Sequence, residues 1–177
     1  MGWVRVLVPP ALSFVLLAAC SPGVPEGFTE AEVEGVIRFA YPEGWRTPAR
    51  AGWIEGAEYQ VEAPSDGGAP MGVLVFLGEA APDADLRTGL GAIKADIRLR
   101  LTDVEFTDER GVEVRGAEEA LLLEFTYRAD TGELMHSRDV FAKDGEGNEA
   151  LLRVAGPEDR VSPDLAMRII STLEFTT

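Results

Sequence analysis

His136, Ser137 and Asp139 place an imidazole, a hydroxyl and a carboxylate within four consecutive positions, the side-chain types of acyl transfer. His136 is the only histidine of the 177 residues. Met135–Ala142 reads as a strand, and adjacent strand residues point to opposite faces. His136 and Ser137 therefore cannot meet as base and nucleophile, and the histidine is expected to face solvent or a polar neighbour. A zinc site of the usual kind needs several His or Cys ligands, and the chain has one of each. In the acidic loop that follows, Asp144, Glu146 and Asn148 offer oxygens at alternate positions, as calcium requires, but without the twelve-residue spacing of an EF-hand. A glycine-rich hairpin turn explains the same letters. Gly89-Leu90-Gly91 lies inside a helical stripe rather than at a strand-to-helix junction, so it is no phosphate cradle. Close packing of those glycines against a sheet is expected instead. No catalytic residue and no cofactor emerge, and the chain is read as non-enzymatic.

Cys20, the only cysteine, closes the segment MGWVRVLVPPALSFVLLAAC. Arg5 precedes a short apolar run, Ala11–Ala18, which ends in small residues, the pattern of a secretory signal. The run is too short to span a membrane, which takes about 20 apolar residues. Pro9-Pro10 interrupts the helix such a segment prefers, leaving the stretch after Pro10 to do that job. Leu17-Ala18-Ala19-Cys20 resembles the bacterial lipobox. The resemblance implies a diacylglyceryl group on the Cys20 sulfur, cleavage before Cys20 and acylation of the new N-terminus. The protein is then extracytoplasmic, with the membrane as its partner through that lipid.

Cleavage before Cys20 leaves 158 of the 177 residues, enough for one domain with a sizeable core. It removes Arg5 and no acid, so 15 basic face 31 acidic side chains. Such a surface repels phosphate backbones and excludes nucleic acid as a partner. No cysteine remains for disulfides, so the fold stands on burial. Residues 1–19 are taken as the signal, 20–32 as the acylated cysteine with a Pro/Gly/Ser-rich tether, and 33–177 as a single domain. Trp53 and Ile54, between Gly52 and Gly56, are candidate partner contacts if exposed together, and otherwise cap the sheet.

The elements that would position these residues are mostly strands. Ile37, Phe39 and Tyr41 alternate with Arg38 and Ala40, and Tyr59 and Val61 with Gln60 and Glu62. Met71–Leu77 is nearly continuous apolar sequence, as in a strand covered on both faces. Leu86, Leu90, Ile93, Ile97 and Leu101 form a helical stripe, with Asp85 as N-cap. Period 2 returns at Val112 and Val114. Leu121, Leu123, Phe125 and Tyr127 face one way, and Glu124, Thr126 and Arg128 the other. Asp130-Thr131-Gly132 is a tight hairpin connection, and further strands run through Met135–Ala142 and Ala150–Ala155. Ser162-Pro163-Asp164 opens a last helix carrying Leu165, Ile169 and Leu173. Consecutive hairpins predict an α+β fold, one antiparallel β-sheet with helices packed on it.

Tyr41-Pro42-Glu43-Gly44-Trp45 resembles the opening of PsbP-like domains. Val114, Gly116 and Ala120, and the closing Ser171-Thr172-Leu173-Glu174-Phe175, extend the likeness from about Val33 to Phe175. The resemblance implies an α/β/α sandwich and a binding or assembly role, as in extrinsic photosynthetic subunits and bacterial lipoproteins of the LpqN and DcrB type. It carries no catalytic residues. The expectation is a membrane-anchored, non-catalytic module engaging a protein or a cell-envelope molecule. The alternatives are a calcium-dependent module and a carrier of a small or lipidic ligand.

Overall fold

The computed structural model describes residues 23–49, 54–65, 67–79 and 85–176. The signal segment, Cys20 and Trp53 lie outside them. In chain order the elements are β1 (Phe28–Val33), β2 (Ile37–Pro42), β3 (Tyr59–Glu62), β4 (Gly72–Glu79), α1 (Leu86–Arg100), β5 (Thr102–Gly111), β6 (Ala117–Arg128), β7 (Leu134–Asp144), β8 (Asn148–Pro157), α2 (Pro163–Ile170) and β9 (Glu174–Phe175).

Turn chemistry dictates much of this. Gly132 adopts φ +84°, which a residue without Cβ reaches at no steric cost, and its N–H donates to the Ala129 carbonyl at 2.8 Å. That turn joins β6 to β7, whose register runs from Arg128 opposite Leu134 to Ala117 opposite Asp144. Asp85 caps α1 by accepting from the Arg87 N–H at 2.8 Å, and Arg98 and Arg100 complement the dipole in its last turn. Ser162 caps α2 by accepting from the Leu165 N–H at 3.1 Å, with Pro163 in the first turn.

The strands form two antiparallel sheets rather than the single sheet expected from the sequence: a large one in the order β3-β4-β8-β7-β6-β5 and a small one in the order β1-β2-β9. On one face of the large sheet, Leu121, Leu123, Phe125 and Phe141 pack under Leu90 and Ile97 of α1. On the other, Val75, Leu122, Val140 and Leu152 share a core with Ile37 and Phe39 of the small sheet and Ile169 of α2. Each such side chain taken from water contributes about 1.5–3 kcal/mol. Layers on both faces explain why Leu121-Leu122-Leu123 is apolar without interruption.

Two boundaries differ from the sequence reading. The domain begins at Phe28, inside the segment assigned to the tether, because Phe28, Ala31 and Val33 are buried while β1 pairs with β2. Proline and glycine around them had masked the strand. The strand expected at Val112–Arg115 lies earlier, at Thr102–Gly111. Its register shifts between Thr102 and Glu105 and again between Phe106 and Asp108, and only Val104 and Phe106 supply apolar residues to its alternating pattern.

Candidate functional site

The sheet pleat separates the residues that would otherwise suggest catalysis. On the α1 face, Ser137 Oγ donates to Asp139 Oδ1 at 2.7 Å. The Asp139 carboxylate also accepts from Arg153 Nε at 2.9 and 3.0 Å, and from Arg153 Nη2. Ser137 and Asp139 are fully buried, and the Arg153 guanidinium lies over the Phe125 ring at 5.8 Å. The acceptor of this hydroxyl is thus a carboxylate locked to a guanidinium. The arrangement neutralises a buried acid and holds no base for a nucleophile.

His136 points to the opposite face and meets a polar neighbour, as expected. Its Nε2 lies 3.5 Å from Glu124 Oε2, which accepts from Arg138 Nε at 2.9 Å. Arg110 Nη1 approaches the other Glu124 oxygen at 3.3 Å. Burial first, and then the Arg138 charge, push the imidazole below its ordinary value, outweighing the pull of Glu124 and Glu158. Arg138 is only 3% exposed. Sequence reading missed this buried pair, because a glutamate and an arginine on alternating strands look like solvent-facing residues. Their register opposite one another is the signal, visible only once β6 and β7 are aligned.

Asp144, Glu146 and Asn148 are brought together in the β7–β8 turn, where Asp144 holds the turn itself. Asp144 Oδ1 accepts from the backbone N–H of Glu146 and of Asn148, each at 2.9 Å, and Oδ2 accepts from the Asn148 side-chain amide at 2.7 Å. Burial pushes this carboxyl up, but those bonds prevail and hold it below the ordinary carboxylate range. Among the described residues, no group of three or more His, Cys, Asp or Glu side chains is placed to hold a metal ion.

Ile54 is 51% exposed, and its N–H donates to Gln60 Oε1 at 2.8 Å. Whether Trp53 joins it lies outside the described residues. Trp45 and Tyr41, by contrast, pack against the inner core, and Tyr59 donates to the Tyr41 hydroxyl at 3.1 Å.

Two grooves of about 610 Å³ open on the surface. One lies between the sheets, among Val24, Phe39, Val114, Glu119 and Thr172, and Gly23–Pro25 forms part of its wall. The other lies between α1 and the large sheet, among Phe76, Leu86, Gly89, Ile93 and Leu151. Gly89 corrects an expectation: a Cβ there, or at Gly91, meets nothing within 4 Å, so neither glycine serves close packing.

No protein-family model and no curated protein sequence matches the chain. Its architecture does match solved structures. The solution structure of cyanobacterial PsbP (CyanoP) from Synechocystis superposes with a TM-score of 0.62 at 16% identity, covering 90% of this chain and 98% of that one. LpqN of Mycobacterium tuberculosis, described as involved in cell envelope biogenesis, gives 0.61 at 18% identity, covering 88% of each chain. PA94 of Pseudomonas aeruginosa, a protein of unknown function, gives 0.51 at 13% identity over 80% of this chain and 94% of that one. The domain has the PsbP-like fold.

Proposed function

We propose that the protein is an extracytoplasmic lipoprotein, anchored through Cys20, whose PsbP-like domain is a non-catalytic binding or assembly module of the cell envelope. The observation that carries this reading is the position of β1. It starts at Phe28, so only residues 21–27 separate the lipobox-like cysteine from a folded strand. Fully extended at about 3.3 Å per residue, they reach roughly 25 Å, which would hold the domain close to a bilayer surface. Gly23–Pro25 line the inter-sheet groove, so that groove would open on the anchored side. The likeness to LpqN, described as involved in cell envelope biogenesis, supports the same setting. Ser137 is engaged with Asp139, and Asp139 with Arg153, rather than with a base, which supports binding over turnover.

The test is metabolic labelling of expressing bacteria with a clickable palmitate analogue, followed by fractionation. The label is expected on the wild-type chain in the membrane fraction, and Cys20→Ala is expected to abolish it. Equal labelling of both chains, or an unlabelled cytosolic wild type, overturns the reading.

A further inference from the structure

The groove between α1 and the large sheet has the makings of a ligand site. Leu86 and Ile93 wall it on the helix side, and Phe76, Phe141 and Leu151 on the sheet side. Its volume of about 610 Å³ falls within the range of small-molecule sites, roughly 300–1,000 Å³. Gly89 lies in its wall, in a helix where nearly any other residue would be more favourable. A Cβ at this position meets nothing within 4 Å, and a longer side chain would extend into the groove that Gly89 lines. Glycine therefore keeps open a space that the packing does not require to be open.

The rim has a definite charge. Asp85, Thr88 and Glu149 supply its polar side chains, and among the described residues no basic side chain lines it. The Asp85 carboxylate is committed to the helix cap, accepting from the Arg87 N–H and the Thr88 hydroxyl. Lys143, opposite Glu149 in the sheet register, is buried and already engaged. Glu149 is thus the group positioned to meet a ligand head, on a chain of net charge −15.

We propose that this groove binds a small cationic amphiphile, with its apolar chain or ring on Phe76, Ile93 and Leu151 and its amine or quaternary ammonium at Glu149. The inference deepens the reading of the domain as a binding module by giving it a site and a ligand class. An anionic head would meet two carboxylates at the rim, and an apolar molecule without a head would leave Glu149 unused.

Isothermal calorimetry with octyltrimethylammonium and octyl sulfate, both below micelle formation, tests it. The full chain carrying Cys20→Ser is suitable, which separates this result from the fate of the anchor. Saturable binding of the ammonium is expected, weakened about tenfold or more by Gly89→Leu and unchanged by Gly91→Leu, with the sulfate about tenfold weaker than the ammonium. Glu149→Gln is expected to weaken the ammonium and not the sulfate. Thermal unfolding of both glycine variants checks that they fold, since each replaces one glycine of the same helix. Absence of saturable binding, indifference to Gly89→Leu, or a sulfate that binds as tightly as the ammonium overturns the proposal.

Discussion

The Glu124 carboxylate accepts from Arg138 Nε at 2.9 Å on the same face of the large sheet where, one pair further along, Leu122 lies opposite Val140. An ion pair thus continues a row of core residues. Removing one partner of a buried pair leaves the other charge uncompensated, which costs about 3–5 kcal/mol, whereas replacing both by apolar residues of similar volume is often neutral. Glu124→Leu, which leaves Arg138 buried without its carboxylate, is expected to lower unfolding free energy by an amount in that range, and Glu124→Leu with Arg138→Met by much less. Urea denaturation of the two variants checks this. Equal losses would mean that the ion pair itself, rather than an uncompensated charge, carries the stability.

His136 gives the domain a pH dependence with a definite sign. Its folded value lies below the unfolded value of about 6.5, so the unfolded chain binds more protons between the two. The contribution is fully present above about pH 6.5 and is lost as pH falls through the folded value. The groups facing the imidazole are Glu124, Arg138 and Glu158. Stability measured from pH 7.5 downward is expected to decline more steeply in the wild type than in His136→Gln. Because His136 is the only imidazole, an NMR titration reads its folded value without assignment ambiguity.

Asp144 is expected to matter as a turn residue. Asp144→Ala removes acceptors from two backbone N–H groups and one side-chain amide, and hydrogen bonds to charged groups contribute about 1.5–3 kcal/mol each. A loss of at least the lower figure is expected in chemical denaturation. Millimolar calcium is expected to leave the wild-type melting temperature unchanged, because both Asp144 oxygens are occupied within the turn. A calcium-dependent rise that Asp144→Ala abolishes would show that the turn opens to take the ion.

Glycines in this chain fall into opposite classes. At Gly72 a Cβ would run into the Val61 carbonyl oxygen of the paired strand, so Gly72→Ala is expected to destabilise by about 1–3 kcal/mol. At Gly91 of α1 a Cβ meets open space, and Gly91→Ala is expected to stabilise by about 1 kcal/mol. Thermal melts of the two variants should shift in opposite directions.

Much of the local architecture is legible in the residues. Asp85 and Ser162 before apolar stripes, Pro163 in a first turn, and Asp130-Thr131-Gly132 between alternating runs place both helices and the β6–β7 hairpin where they occur. The aromatic pattern around Tyr41-Pro42-Glu43-Gly44-Trp45 leads to the fold that CyanoP and LpqN also adopt. The separation of His136 from Ser137 follows from the strand pleat alone. Other features were hidden for identifiable reasons. Only two apolar residues, Val104 and Phe106, mark the alternation of β5, and prolines and glycines around Phe28 made a strand look like a tether.

What the sequence by itself determines here is everything that depends on near neighbours: caps, turns, pleat and the apolar stripe of α1. These are governed by backbone geometry over a few residues, and their signals survive in a linear text. Tertiary structure alone decided that Leu121 and Leu122 are both buried, that Glu124 and Arg138 share a face with the core, and that Gly89 lines an open groove rather than a packed contact. Each of these depends on which layer covers which face, and that is settled by contacts between segments far apart in the chain.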